Sequence, residues 1–185
     1  MTIHHPYVSR RVFAGSALAV AALAPVRAIA APALTIDSPL GPFYPIDRQA
    51  EDDADLTHVN GHAQRALGDV IEVTGRVLDR HGNPIRGARI DLWQCNAVGR
   101  YAHPADVSTQ PLDPNFQGFA RLVTGQGGDW RIVTVKPAGY DSPTGKRPPH
   151  IHFLVDGKSH RLAAQMYFAE DAEANARDRL YRDLG

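Results

Sequence analysis

From residue 70 to residue 168, apolar and polar positions alternate in short runs, and the runs end at clusters of glycine, proline, asparagine or aspartate. Successive side chains on a strand point to opposite faces, so a period of two predicts strands rather than helices. VIEVTGRVLD (70–79) places Ile71, Val73 and Val77 on one face. A turn at Gly82-Asn83-Pro84 follows, and then a strongly apolar strand in ARIDLWQCN (88–96). Further strands are expected in FARLVT from Phe119, WRIVTVKP from Trp130, HIHFLVDG from His150 and LAAQMYF from Leu162. Only EDAEANARDRLYRD, from Glu170, has a helical pattern. The expected fold is therefore mostly β, a sandwich or barrel, with one short C-terminal helix. Two connections, 37–67 and 101–117, exceed the length of ordinary loops. Their aromatic content favours ordered, functional loops.

The strand at 150 raises the first chemical question. His150, His152 and Leu154 share one face, while Ile151, Phe153 and Val155 form a core stripe on the other. Burial of the strand does not need the histidines. Two imidazoles on one face of a half-buried strand are close enough to bind one cation. A pair is half a site, and an alternating strand also produces His-x-His by chance.

Composition narrows the classes. The chain has 185 residues, 43% hydrophobic content and zero formal net charge, which fits one soluble domain with a sizeable core. Without a concentrated basic face, neither a nucleic acid nor an anionic membrane is an expected partner. The start differs from the rest. SRRVFAGSALAVAALAPVRAIAAPA (9–33) has a basic pair at Arg10 and Arg11, an apolar run from Val12 to Ala24, and Ala-x-Ala at 28–30. Residues 1–30 read as a cleaved export signal, and Ser9-Arg10-Arg11-Val12-Phe13 resembles the twin-arginine type. The apolar run is shorter than the roughly 20 residues a bilayer span needs, so no membrane contact is expected after cleavage. The expected product is a periplasmic domain, 31–185, with 31–68 as an N-terminal arm. Its one cysteine, Cys95, cannot form an internal disulfide and reads as a small buried hydrophobe.

The search for further ligands starts with the carboxylates. EDDAD (51–55) lacks the glycine of a calcium loop and reads as solvated surface. His58 and His62 lie in a loop, His81 in a turn, and His103 and His160 are isolated. Tyr101 and Tyr140 both sit where a strand runs into a loop, the usual place for a site. A free tyrosine ionises near pH ~10, so a tyrosinate ligand at neutral pH requires a strongly acidic ion such as ferric iron. Taken singly, each tyrosine also fits as an aromatic rim residue.

Several segments together resemble the intradiol ring-cleavage dioxygenases: GPFYP (41–45), GRVLDRHGNPIRGARIDLWQCNAVGRY (75–101), PLDPNFQGFARLVT (111–124), TVKPAGY (134–140), RPPHIHF (147–153) and QMYF (165–168). The likeness covers nearly all of residues 31–185. It implies a β-sandwich core and a non-haem Fe(3+) ion held by Tyr101, Tyr140, His150 and His152, with hydroxide as a fifth ligand. It implies catalytic roles for Tyr140, Arg147 and Gln165. The implied reaction uses O2 to cleave a small aromatic diol between its hydroxylated carbons, giving a cis,cis-muconate, with a protocatechuate-like substrate favoured. A homo-oligomer would have to supply the contacts that a second type of chain makes in some relatives. Two alternatives stay open on the residues. The first hairpin also resembles prealbumin-like binding modules, and an exported zinc or copper protein could use His150 and His152 alone.

Overall fold

Alternation sorts the strands into two layers. In the computed structural model, which describes residues 33–47, 51–142 and 145–184, eight strands form: β1 (Val70–Arg76), β2 (Arg89–Trp93), β3 (Phe119–Val123), β4 (Asp129–Val135), β5 (Tyr140–Ser142), β6 (Gly145–Arg147), β7 (His150–Asp156) and β8 (Arg161–Tyr167). One antiparallel sheet has the order β3-β2-β7-β8, a second pairs β1 with β4, and β5 and β6 make a separate hairpin. The export segment expected at residues 1–30 lies outside the described residues. Among those described, no helix is long and apolar enough to cross a membrane.

Ile90 and Leu92 of β2, Ala120 of β3 and Ile151 and Phe153 of β7 project from one face of the four-stranded sheet. They meet Val73 of β1 and Ile132 of β4, so this core lies between two sheets, as in a sandwich. Leu56, from the first long connection, completes it. Its N–H and the Ala54 carbonyl hydrogen-bond to Val133, so the chain just after the acidic run adds to the β4 edge. Asp55 itself bridges to Val133.

The opposite face of the same sheet carries a second core of Trp93, Phe119 and Leu154, packed with Phe43, Cys95, Tyr101 and Tyr140. His150 and His152 lie on this face and are 1% exposed. The sequence pattern implied a half-buried β7. Instead it is buried on both faces, because the arm and the 101–117 loop fold over the side that carries the histidines.

The C-terminal helical pattern breaks in two. A 3-10 turn, Ala169–Asp171, leads into α1 (Ala172–Arg177), and α2 (Arg179–Arg182) starts afresh behind Asp178. Asp178 has extended backbone angles and its side chain accepts the Tyr181 N–H, which makes it an N-cap and stops α1 from running on. The β5–β6 hairpin has no counterpart in the sequence reading, since strands of three residues are too short to show a period.

Candidate metal and substrate site

β7 supplies the two histidines, and β2 and β8 flank it in register. Trp93 lies opposite His152 on one side and Gln165 on the other, while His150 faces Tyr167. The Trp93 indole stacks on the His152 ring, with centroids 4.8 Å apart and planes 7° from parallel. A small residue is needed over the other edge of that imidazole. Gly41 occupies this place with φ +76°, and a Cβ there would come within 3.3 Å of His152 Cε1.

Tyr101 enters from the loop after β2. Asp106 holds it by accepting the Tyr101 N–H at 2.7 Å, and the same carboxylate pairs with Arg100 and accepts the Ser108 N–H. Tyr140 opens β5. Gly99 lets the two loops meet: its φ is +83°, and a Cβ there would lie 2.6 Å from the Gly139 carbonyl oxygen. The Tyr101 and Tyr140 rings pack edge to face at 5.2 Å, and Phe43 stacks on Tyr101 at 4.4 Å. Tyr140 lies 5.5 Å from His150, and Tyr101 lies 6.4 Å from His152, between ring centroids.

Polar atoms at the centre lack ordinary partners. The Tyr101 hydroxyl is buried without a hydrogen bond of proper geometry, although it is close enough to Tyr140 for each phenol to affect the other's ionisation. His150 Nδ1 lies 2.7 Å from the Pro148 carbonyl, which can only accept, so Nδ1 carries the proton and Nε2 presents its lone pair. That Nε2 faces His152 Nε2 at 3.1 Å. Burial, aided by the Arg147 charge, pushes the His150 pKa down to about 4. Burial, then His150 and Arg147, hold His152 well below its ordinary value. Both rings are neutral at pH 7, as metal ligands must be. Burial raises the Tyr101 hydroxyl well above the usual tyrosine value, and it raises Tyr140 against the pull of Arg147. Two neutral imidazoles and two buried phenols therefore meet in one cluster, donor types that suit a cation of high charge. Among the described residues no three His, Cys, Asp or Glu side chains gather as a metal site.

Arg147 sits beside this group on β6, directly opposite Tyr140 in the hairpin. Its Nη2 donates to Gln165 Oε1 at 2.7 Å and to Tyr167 Oη at 3.0 Å, and Nε pairs with Asp178. Burial works against its charge, but Asp178 and the neighbouring tyrosines hold its pKa above the ordinary value. The structure thus brings together Tyr101, Tyr140, Arg147, His150, His152 and Gln165. His58, His62 and His81 are exposed in loops and turns, and Cys95 is buried with its thiol pushed up to about 12 by burial. Trp93, Tyr167, Asp106 and Asp178 were not singled out from the sequence. Tyr167 lies two residues after Gln165 on one strand face, and Asp178 precedes a short helical run as an N-cap would, so both carried a readable signal. Nothing local marked Asp106.

The β-sandwich thus carries a buried His-x-His strand that faces two loop tyrosines. Residues 40–180 match the family model described as dioxygenase. The chain is 43% identical over 135 residues to the protocatechuate 3,4-dioxygenase beta chain of Burkholderia cepacia, covering 70% of this chain and 57% of that protein. It is 32% identical over 146 residues to the hydroxyquinol 1,2-dioxygenase of Rhizobium sp. (strain MTP-10005), covering 71% and 46%. The dioxygenase domain of a dioxygenase carbohydrate-binding fusion from Streptomyces sp. SirexAA-E superposes with a TM-score of 0.61 at 25% identity, covering 80% of this chain and 82% of that one. This chain belongs to the intradiol ring-cleavage dioxygenase family. It spans about half the length of the curated relatives it matches.

Proposed function

We propose that the protein is a non-haem ferric intradiol dioxygenase that uses O2 to open a catechol-type ring between its two hydroxylated carbons. The observation that carries this reading is the meeting of Tyr101, Tyr140, His150 and His152 in one buried cluster with an unpartnered phenol. The residues fit the ion. Burial discourages ionisation of both phenols, so only a strongly acidic cation would deprotonate them, which favours Fe(3+) over zinc. When bound, the ferric ion would supply Lewis acidity that draws electron density from a chelating catechol and readies it for oxygen.

The remaining steps belong to this chain's residues. Tyr140, the less buried of the two tyrosines, would help hold the ion and take a catechol proton on Oη. Arg147 would stabilise negative charge that develops on the ring, and such a group is typically worth about 3 kcal/mol of barrier. Gln165 would hold Arg147 through its Oε1. Trp93 and Phe43 would keep water from the histidines and from Tyr101. A protocatechuate-like ring is favoured because the 43% identical relative carries that substrate in its name. That relative is also named as one chain of an enzyme, and we infer that this chain works as a homo-oligomer, which sedimentation will test. Residues 1–30 would direct twin-arginine export to the periplasm, and the mature chain recovered there should begin at Ala31 by mass spectrometry.

The deciding assay is oxygen uptake with protocatechuate, catechol and hydroxyquinol, with product identification. Uptake of one O2 per ring and a muconate-type product are expected. Extradiol products, or a protein that takes up zinc alone and consumes no oxygen, would overturn the reading.

A further inference from the structure

Arg147 and α2 are joined by a buried carboxylate that the proposed chemistry leaves without a task. Asp178 is 4% exposed. Its Oδ1 accepts the Tyr181 N–H at 2.9 Å and caps α2, while its Oδ2 accepts from Arg147 Nε. Capping alone does not call for a charge here. A neutral serine or asparagine caps as well, and a buried carboxylate is costly unless it is paired. Nor does α2 need much from its cap, since four residues of helix hold only by what they pack against.

The bonds of Arg147 to the described residues leave from Nε and Nη2, to Asp178, Gln165 and Tyr167. Tyr167 Oη also donates to Gln165 Oε1 at 2.8 Å, so the acceptors on β8 are tied to each other. Asp178 on one side and β8 on the other therefore fix the plane of the guanidinium. Nη1 is the donor that neither takes.

The geometry points to Asp178 as a positioning residue: from the C-terminal helical segment it holds the Arg147 guanidinium so that Nη1 faces the substrate ring. This rests on the proposed role of Arg147. The last helical turn thereby becomes part of the active site's support.

The test uses the iron-loaded full chain with Asp178→Asn. Asparagine has one carbonyl oxygen where aspartate has two acceptors, so it can cap α2 but cannot also receive Arg147 Nε. The expected result is a fall in kcat of about 10- to 100-fold, the usual range for loss of such a supporting partner, with KM within about threefold. Iron content and visible absorption should stay at wild-type levels, and Asp178→Glu, which keeps the charge, should recover part of kcat. A second readout needs no metal or turnover. The Nε–H resonance of Arg147 in the metal-free protein should move to the free-arginine position and exchange faster in Asp178→Asn. An unmoved resonance overturns the proposal, whether or not the variant still binds iron. Wild-type kcat per bound iron in Asp178→Asn, beside an impaired Arg147→Lys, would remove the positioning role and leave that of Arg147. Wild-type kcat in Arg147→Lys would instead remove the role of Arg147 itself.

Discussion

Tyr101 gathers the physical tension of the site in one side chain. It is 3% exposed, its hydroxyl has no hydrogen bond of proper geometry, and burial makes it hard to ionise. A buried polar group left in this state costs on the order of 1–3 kcal/mol. Its ring is well packed against Phe43, so the cost belongs to the oxygen and not to the fit. Tyr101→Phe should therefore raise the melting temperature of the metal-free protein, by about 2–4 °C for each kcal/mol recovered at this chain length. The same change should weaken iron binding. A lower melting temperature in the metal-free variant would mean that the hydroxyl is satisfied, contrary to its proposed role as a donor waiting for a cation. Little of this was readable beforehand. The position of Tyr101 at a strand end was legible, but its burial depends on Phe43, far away in the chain, and on Asp106, which lies in the same loop without a periodic pattern to mark it.

Among the elements, the four-stranded sheet explains why part of the site could be read and part could not. Parity along β7 put both histidines on one face with Leu154, and the structure keeps them there. What parity could not give was the second core above that face. The arm provides it, through Phe43 over the tyrosines and Tyr44 over Trp93. The Tyr44 hydroxyl donates to Asp91 at 2.8 Å, and Arg121 of β3 donates to the same carboxylate through two nitrogens. Asp91 thus ties the arm to β2 and β3. Burial would raise its pKa, but the Arg121 and Tyr44 bonds outweigh burial and hold it below the ordinary carboxylate value. A depressed carboxylate contributes fully above its unfolded pKa, and the contribution is lost as pH falls through the folded value. Stability should accordingly decline between about pH 5 and pH 2, as acid protonates such carboxylates. Asp91→Asn should flatten that decline while lowering stability at pH 7, as urea unfolding at stepped pH will measure. An unchanged acid limb in the variant would assign it to other carboxylates. The hairpin β5–β6, which sets Arg147 opposite Tyr140, escaped the sequence because its strands are defined by pairing rather than by burial.

For the whole molecule, the resemblance fixed the family, while balanced charge and strand spacing fixed the class. Charge balance argued against a nucleic-acid partner, and strand spacing argued for a β fold. Neither could choose a metal, because His-x-His on a strand suits several. The resemblance is what implied ferric iron, and the fold brings the two loop tyrosines from positions 101 and 140 against the pair at 150 and 152, across a close approach of Gly99 to Gly139. Visible absorption of the iron-loaded protein tests whether that assembly holds one ion. A red-brown protein is expected, with a tyrosinate-to-iron charge-transfer band that weakens in Tyr101→Phe at equal iron content. A colourless protein carrying a full equivalent of iron would contradict it.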